Sequence, residues 1–321
     1  MRALALLFSV PAAVFAVASL PACGEDAATD EAGGVPGNSI PVDVGSSGST
    51  SSAANVGGGP VGSTTSDAAT PPPLPEDVDR TTVSTSFEGK ARNYMLGLPK
   101  GYDPKRSYPL VMLFHGNPGS KEQMRGYAPF EQVTRRDAIL VYPSALDGAW
   151  DLYTPTETNK DMAWIRALPA ELAGQYNVDQ GRVYGFGFSG GAFMMAQMSC
   201  RFGQRAFHAV YINSGGGPQE DQMGFPKRED KSFICPGGPI PTMVVHGDVD
   251  GQVVKASGQF TASSAAKNNG CTDFPKTPVH PSPCLAAAGC QKAAEWCLVP
   301  KLGHGVWDQG MQAAWAFFNA N

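Results

Sequence analysis

Residues 182–191 read Arg-Val-Tyr-Gly-Phe-Gly-Phe-Ser-Gly-Gly, and this stretch decides the fold. It begins as an apolar run typical of a short buried strand, and the glycine-free residues 192–200 that follow favour a helix. Between the two, residues 187–191 fit the pattern G-x-S-x-G. A serine on a sharp turn from strand to helix needs small neighbours, because a side chain there would overlap one of the two elements. The stretch therefore predicts Ser189 as an exposed nucleophile, and a glycine-rich turn with a bystander serine is the alternative.

Strands and helices alternate along the rest of the chain from Thr81 onward. Short apolar runs predict strands at 83–98 (one or two strands around a turn), 110–114, 138–142, 210–212 and 243–245. Helices are predicted at 121–136, around 165–172 and at 309–319. This alternation predicts an α/β fold, a mostly parallel sheet covered by helices on both faces. Active sites of such sheets gather at the carboxyl ends of the strands.

A serine nucleophile needs a base, and the base needs an orienting carboxylate. When the serine lies on such a turn, the three groups follow in the order serine, acid, histidine. Asp250 follows the strand at 243–245, and His304 lies between two glycines before the last helix. The order predicts Ser189, Asp250 and His304 as catalytic residues, with Asp248 as the alternative acid. Four other histidines have less suitable positions: His115, His208, His246 and His280.

Two backbone N–H groups are needed to hold the oxyanion of the tetrahedral intermediate. Gly190, directly after the nucleophile, is predicted to supply one. The other is expected from the loop after the strand at 110–114, where Pro118 has no N–H. Asn117 is the first candidate in that loop, and Gly119 is the second.

The amino-terminal region predicts an export signal followed by a tether. Residues 1–22 predict a signal peptide, and Cys23 after a small residue resembles the lipidation site of bacterial lipoproteins. A plain secretory signal and an uncleaved membrane helix are the alternatives, and prolines at 11 and 21 disfavour the helix. Residues 23–79 are rich in Gly, Ser, Thr, Ala and Pro, which predicts a disordered linker. The catalytic domain is predicted at 80–321.

The cysteines agree with export. If Cys23 carries a lipid, six of the seven cysteines remain, and an even number in an exported chain predicts disulfides with the pairing left open. A zinc site is the alternative, but no C-x-x-C pair occurs. We expect a periplasmic or outer-surface lipoprotein, or an extracellular protein, that touches a membrane only through its lipid. The six cysteines are Cys200, Cys235, Cys271, Cys284, Cys290 and Cys297.

Charge disfavours nucleic acid as a partner. Nine acids and two bases lie in residues 1–80, which leaves 20 acids and 22 bases for the rest of the chain, near neutrality. No basic stripe is present in the sequence. The chemistry predicted above requires no metal and no organic cofactor, and we expect a monomer.

The chain resembles the polyhydroxybutyrate depolymerase and feruloyl esterase family of α/β-hydrolases over about residues 85–320. The resemblance implies an α/β-hydrolase fold, an ester substrate, Ser189 as nucleophile, Asp250 as acid and His304 as base. It also implies a disulfide between Cys200 and Cys235. The matching segments are 109–116, 182–191, His246-Gly247-x-x-Asp250, Asn269-Gly270-Cys271, and Gly303-His304 with Trp307 close behind.

Departures from the family pattern fall around the site. Gly190 follows the nucleophile instead of the commoner residues, the loop at 115–118 has no cysteine, and 305–308 is not a Trp-Pro-Gly run. Trp150 and Trp307 are predicted to contact the substrate, with ordinary packing as the alternative. Another serine hydrolase, such as a peptidase or lipase, and a non-catalytic binding lipoprotein are the competing interpretations.

Overall fold

The computed structural model describes residues 77–218, 224–274 and 276–321. The predicted signal peptide, the lipidation site at Cys23 and most of the predicted linker lie outside these residues. The described strands are β1 (Val78–Phe87), β2 (Lys90–Pro99), β3 (Tyr108–Phe114), β4 (Ile139–Pro143), β5 (Val178–Phe188), β6 (Ala209–Asn213), β7 (Thr242–Gly247), β8 (Thr277–Pro278), β9 (Cys284–Ala286) and β10 (Ala294–Val299). The α-helices are α1 (Lys121–Tyr127), α2 (Glu131–Thr134), α3 (Lys160–Ala173), α4 (Gly190–Phe202), α5 (Lys255–Asn268) and α6 (Gly310–Ala320).

All described strands form one sheet in the order β1-β2-β4-β3-β5-β6-β7-β10-β9-β8. The six central strands, β4 to β10 in that order, are parallel, and the outer strands pair antiparallel. Alternate side chains of β3 enter opposite cores: Leu110 and Met112 pack with α3 and α4, whereas Val111 and Leu113 pack with α1 and α6. The predicted α/β class, with a mostly parallel sheet covered on both faces, is confirmed.

Most predicted elements are present, with differences that local chemistry explains. The predicted helix at 121–136 is divided into α1 and α2, because Ala128 precedes Pro129 and takes a non-helical conformation. Helix α3 continues through Pro169. Helix α5 was not predicted, because its sequence is rich in Ser and Ala and has little apolar periodicity. The β8–β9 hairpin also lacks a sequence signal of its own.

Three disulfides join the six cysteines of the described region. Cys200–Cys235, the pair that the family resemblance implied, links α4 to the segment before β7. Cys284–Cys297 joins β9 to β10. The remaining pair is Cys271–Cys290. The prediction of disulfides in place of a zinc site is confirmed.

The described residues contain no helix long and apolar enough to cross a bilayer.

The carboxyl ends of β3, β5, β6, β7 and β10 lie side by side in the parallel part of the sheet. The loops that follow these ends hold every residue predicted to be catalytic.

Candidate active site

Ser189 lies on the predicted turn between β5 and α4. Its backbone has φ 52° and ψ −118°, a strained conformation for a residue with a side chain. Added side chains would overlap main chain on both sides, because a Cβ on Gly187 would meet the backbone of Gly191, and one on Gly191 would meet the Phe114 carbonyl. The two glycines of the motif are therefore required by close backbone approach.

The structure brings Ser189, His304 and Asp250 together in one hydrogen-bonded row. His304 Nε2 lies 2.9 Å from Ser189 Oγ, and His304 Nδ1 lies 2.9 Å from Asp250 Oδ2. Because an ionised carboxylate only accepts, Nδ1 carries the proton and Nε2 accepts from the serine hydroxyl. This is the arrangement in which a histidine removes the proton of a serine.

Backbone donors hold the Asp250 carboxylate in its ionised form. Its Oδ1 accepts from the N–H groups of Gln252 and Val253, both at 2.9 Å. Burial disfavours the charge, but the hydrogen bonds from His304, Val253 and Gln252 outweigh it, so the pKa of Asp250 falls below its ordinary value. The carboxylate is thus charged near neutral pH.

The competing acid and histidines lie elsewhere. Asp248 Oδ1 accepts from the Lys301 N–H at 2.6 Å, away from His304. His246 is buried behind Asp250, with Nε2 donating to the Val253 carbonyl (2.8 Å) and lying 3.4 Å from Asp250 Oδ2. His208 contacts the Asn321 carbonyl, and His280 is exposed in a loop.

The loop at 115–119 crosses next to the start of α4. The Gly119 N–H donates to the Gly148 carbonyl at 2.8 Å, so Gly119, the second oxyanion candidate, is already engaged. The N–H of Gly190 opens α4 and has no acceptor within the helix. Any side chain at 190 would overlap the Asn117 carboxamide. The Asn117 side chain therefore lies against Gly190, next to Ser189.

A cleft of about 310 Å³ opens over Ser189. None of the described residues that line it is Asp, Glu, Lys or Arg. Phe188 forms one wall, with its ring centroid 5.1 Å from that of His304 and 5.9 Å from that of Tyr127, which is 57% exposed. Sequence reasoning missed several lining residues, because neither their type nor their spacing marks them as part of a cleft: Gln123, Tyr127, Phe188, Gln252 and Val306.

The structure corrects the prediction for the two tryptophans. Trp150 is 3% exposed and Trp307 is 6% exposed, and neither lines the cleft. Trp150 packs beneath the 115–119 loop, with its ring centroid 4.8 Å from that of His115. Trp307 belongs to the core under α6. Their proximity to the site in sequence is real, but both indoles point into the protein.

The His304 loop is held by a residue that carried no sequence signal. Asn213 Nδ2 donates to the Gly305 carbonyl at 2.8 Å, and its Oδ1 accepts from the Trp307 N–H at 3.3 Å. The Asn213 carbonyl also accepts from the Ser189 N–H at 3.0 Å. One asparagine thus ties the turn that carries Ser189 to the loop that carries His304. Metal ligands are not grouped in the described region, where no cluster of three or more His, Cys, Asp or Glu could hold an ion.

Comparison with known proteins shows sequence similarity to feruloyl esterases. Feruloyl esterase C of Emericella nidulans is 28% identical over 189 residues, 56% of this chain and 63% of that protein. Feruloyl esterase D of Neurospora crassa is 26% identical over 204 residues, 59% of this chain and 64% of that protein. The chain therefore spans less than two thirds of the length of these relatives. No family model matches the chain.

Solved structures with the same fold include two esterases. An acetyl xylan esterase from Aspergillus awamori has a TM-score of 0.60 at 16% identity, covering 75% of this chain and all (100%) of that one. A ferulic acid esterase from Anaeromyces mucronatus, in complex with ferulic acid, has a TM-score of 0.51 at 17% identity, covering 75% of this chain and 89% of that one. The α/β-hydrolase fold is confirmed, and the sequence relatives show that the chain is similar to feruloyl esterases.

Proposed function

We propose that this relative of the feruloyl esterases is a serine hydrolase of carboxylic esters. The observation that carries the proposal is the unbroken hydrogen-bonded row from Asp250 through His304 to Ser189, at the base of an open cleft. A binding protein needs no such row, and Ser189 is held in a strained conformation that presents its hydroxyl to His304.

The mechanism is acyl transfer through a covalent intermediate. Ser189 Oγ attacks the ester carbonyl while His304 Nε2 takes the hydroxyl proton, and Asp250 holds the resulting imidazolium. The N–H groups of Gly190 and Asn117 hold the oxyanion. His304 then gives its proton to the departing alcohol, which leaves an acyl group on Ser189. Water, deprotonated by His304, releases the carboxylic acid and restores the serine.

The proposed substrates are neutral esters, with feruloyl or acetyl groups on polysaccharide first. Two observations support this class: the named activities of the relatives, and a cleft wall of Phe188 and Tyr127 without charged lining among the described residues. A polyhydroxybutyrate-type polyester remains the second candidate, because an aromatic wall also packs on aliphatic chains.

Export of the enzyme is part of the proposal. Three disulfides in the described region favour an oxidising compartment. The signal peptide at 1–22, lipidation of Cys23, the linker at 23–79, the domain boundary at 80 and the monomeric state stay predictions.

The test is hydrolysis by the full chain, purified with its disulfides oxidised, against the Ser189→Ala variant. We expect kcat to fall by several orders of magnitude in Ser189→Ala with the fold intact, because no other group replaces the nucleophile. Ser263→Ala, a surface serine on α5, is the matched control and should be unaffected. Near-normal turnover by Ser189→Ala would overturn the proposal.

The same assay ranks the substrates. p-Nitrophenyl acetate, p-nitrophenyl butyrate, methyl ferulate, acetylated xylan and a hydroxybutyrate oligomer are compared by kcat/KM. Preference for methyl ferulate or acetylated xylan would support the polysaccharide role. Preference for the oligomer would move the assignment to the polyester.

A further inference from the structure

The loop that carries the oxyanion candidate Asn117 has no regular secondary structure of its own. Five hydrogen bonds join residues 115–119 to the segment 145–150 instead. Asn117 Oδ1 accepts from the Trp150 N–H at 2.9 Å, and Asn117 Nδ2 donates to the Trp150 carbonyl at 3.0 Å. The other three bonds are Trp150 Nε1 to the His115 carbonyl (2.8 Å), Ala145 N–H to His115 Nε2 (3.1 Å) and Gly119 N–H to the Gly148 carbonyl (2.8 Å).

The Asn117 carboxamide satisfies both backbone groups of Trp150, which fixes the orientation of the amide. A carboxylate at 117 would lose the donor, and an aliphatic side chain would lose both bonds. The same carboxamide occupies the space in which a side chain at 190 would lie. Glycine at 190, unusual for the family resemblance, is therefore the residue that accommodates Asn117.

Trp150 is in turn anchored from behind. The next residue, Asp151, donates its N–H to Asp161 Oδ2 at 2.8 Å, and Asp161 forms a buried ion pair with Arg92. The indole packs against the His115 ring and the Phe114 ring, with centroid distances of 4.8 Å and 5.5 Å. We call the pair of hydrogen bonds between the Asn117 carboxamide and the Trp150 backbone the Asn117 clamp. Its Trp150 side is thus held from the core, whereas Asn117 itself lies at the exposed rim of the cleft.

We infer that Trp150 and the Asn117 carboxamide are positioning residues that aim the Asn117 N–H at the oxyanion. This inference rests on the proposed function. Oxyanion donors act only when they are placed within a fraction of an ångström before the reaction begins. A loop of this kind, with Pro118 removing one donor, needs an external template, and the 145–150 segment supplies it. Trp150, which was expected to touch substrate, acts one step behind the reacting atoms.

Trp150→Phe in the full chain tests the role of the indole bond. Phenylalanine keeps a ring on His115 but removes the Nε1 donor to the His115 carbonyl. We expect kcat to fall about tenfold with KM nearly unchanged, since a displaced donor loses part of the 10²–10³ that a deleted donor costs. The matched control is Trp315→Phe, because Trp315 lies on α6 with its ring on that of Phe130, and neither of these residues lines the cleft.

A second readout separates positioning from general loosening. Ser189 Oγ adds to the carbonyl carbon of a trifluoromethyl ketone that mimics the substrate, and the adduct is a tetrahedral oxyanion. In Trp150→Phe its inhibition constant should rise by the same factor by which kcat falls, whereas binding of the carboxylic acid product should not change. Equal kcat values in Trp150→Phe and Trp315→Phe, with activity still dependent on Ser189, would overturn the positioning role of Trp150 and Asn117 alone. Activity that survives Ser189→Ala would instead overturn the proposed function.

Discussion

Two asparagine clamps in this protein make the same hydrogen bonds at opposite ends of the sheet. At the catalytic end, Asn117 bonds both backbone groups of Trp150. At the amino end of β7, Asn269 bonds both backbone groups of Ile240, at 2.9 and 2.7 Å, and adds a bond to the Ala293 carbonyl at 3.0 Å. Asn269 is 1% exposed, whereas Asn117 lies at the exposed rim of the cleft.

The difference in burial assigns the two clamps different work. Buried backbone groups that lose their partner cost the full price of desolvation, so the Asn269 clamp stabilises the fold. Water replaces the partners of an exposed group at little cost, so the Asn117 clamp contributes little stability. By the inference above, the exposed clamp contributes the position of the Asn117 N–H beside Ser189.

The largest expected difference between the two ends of the sheet is a loss of kcat when Asp250 is changed. Asp250→Asn should lower kcat about 10⁴-fold, because the amide oxygen stays on the Gln252 and Val253 N–H groups, and the amide NH2 then faces His304 Nδ1 and moves the imidazole proton to Nε2. The matched control is Asp248→Asn, two residues away, which also accepts a backbone N–H but does not contact His304. Steady-state kinetics on one ester substrate measure both. A severe loss in Asp248→Asn with little effect of Asp250→Asn would exchange their roles.

The next prediction compares the two clamps: the variant of one should lose activity, and the variant of the other should lose stability. Asn117→Ala should lower kcat about 10²-fold and the free energy of unfolding by about 1 kcal/mol or less, because the oxyanion donor is released while the vacated space lies at the exposed rim, where water can bond the Trp150 backbone groups. Asn269→Ala should lower the free energy of unfolding by about 2 to 4 kcal/mol and leave kcat unchanged, because it strands buried groups of Ile240 and Ala293. Denaturant unfolding and kinetics on both variants give the four numbers. The same pattern in both variants would show that the clamps do not differ in function.

The residues that could be predicted from the sequence are those whose signal is local. The strand before Ser189, the glycines around it and the order of Ser189, Asp250 and His304 are all written in short motifs, and the structure brings these three side chains together. Alternating apolar runs likewise predicted the central strands. The disulfide Cys200–Cys235 followed from the family resemblance, not from spacing.

The parts that escaped prediction depend on contacts between distant segments. Asn117 and Trp150 are 33 residues apart, and Asn213 and Gly305 are 92 apart. A side-chain amide that bonds a remote backbone leaves no periodicity and no motif in either segment. Trp150 was predicted to contact substrate because aromatic residues near a site serve either purpose, and only its burial decides.

The smallest effect concerns pH, to which the two ends should respond with opposite signs. Burial lowers the pKa of His115, at the start of the 115–119 loop, below its ordinary value of 6.5. The unfolded chain then binds a proton more readily than the folded one, so stability is lost as the pH falls below about 6.5. At the other end Glu295, two residues after Ala293, has its pKa raised from 4.5 to about 7 by burial. Its contribution is complete below about pH 4.5 and is lost as the pH rises through 7.

Glu295→Gln isolates the alkaline side of this response. The Glu295 Oε2 atom is buried without a hydrogen-bond partner among the described residues, so ionisation there is uncompensated. The free energy of unfolding of the variant minus that of the parent should be about 1 kcal/mol larger at about pH 8 than at about pH 5. This figure is reduced because Glu295 is partly exposed. Glu157→Gln, at an exposed position, is the control. A Glu295→Gln difference that does not vary with pH would mean that the pKa of Glu295 is the same in the folded and unfolded chains, and the alkaline loss would then belong to another group.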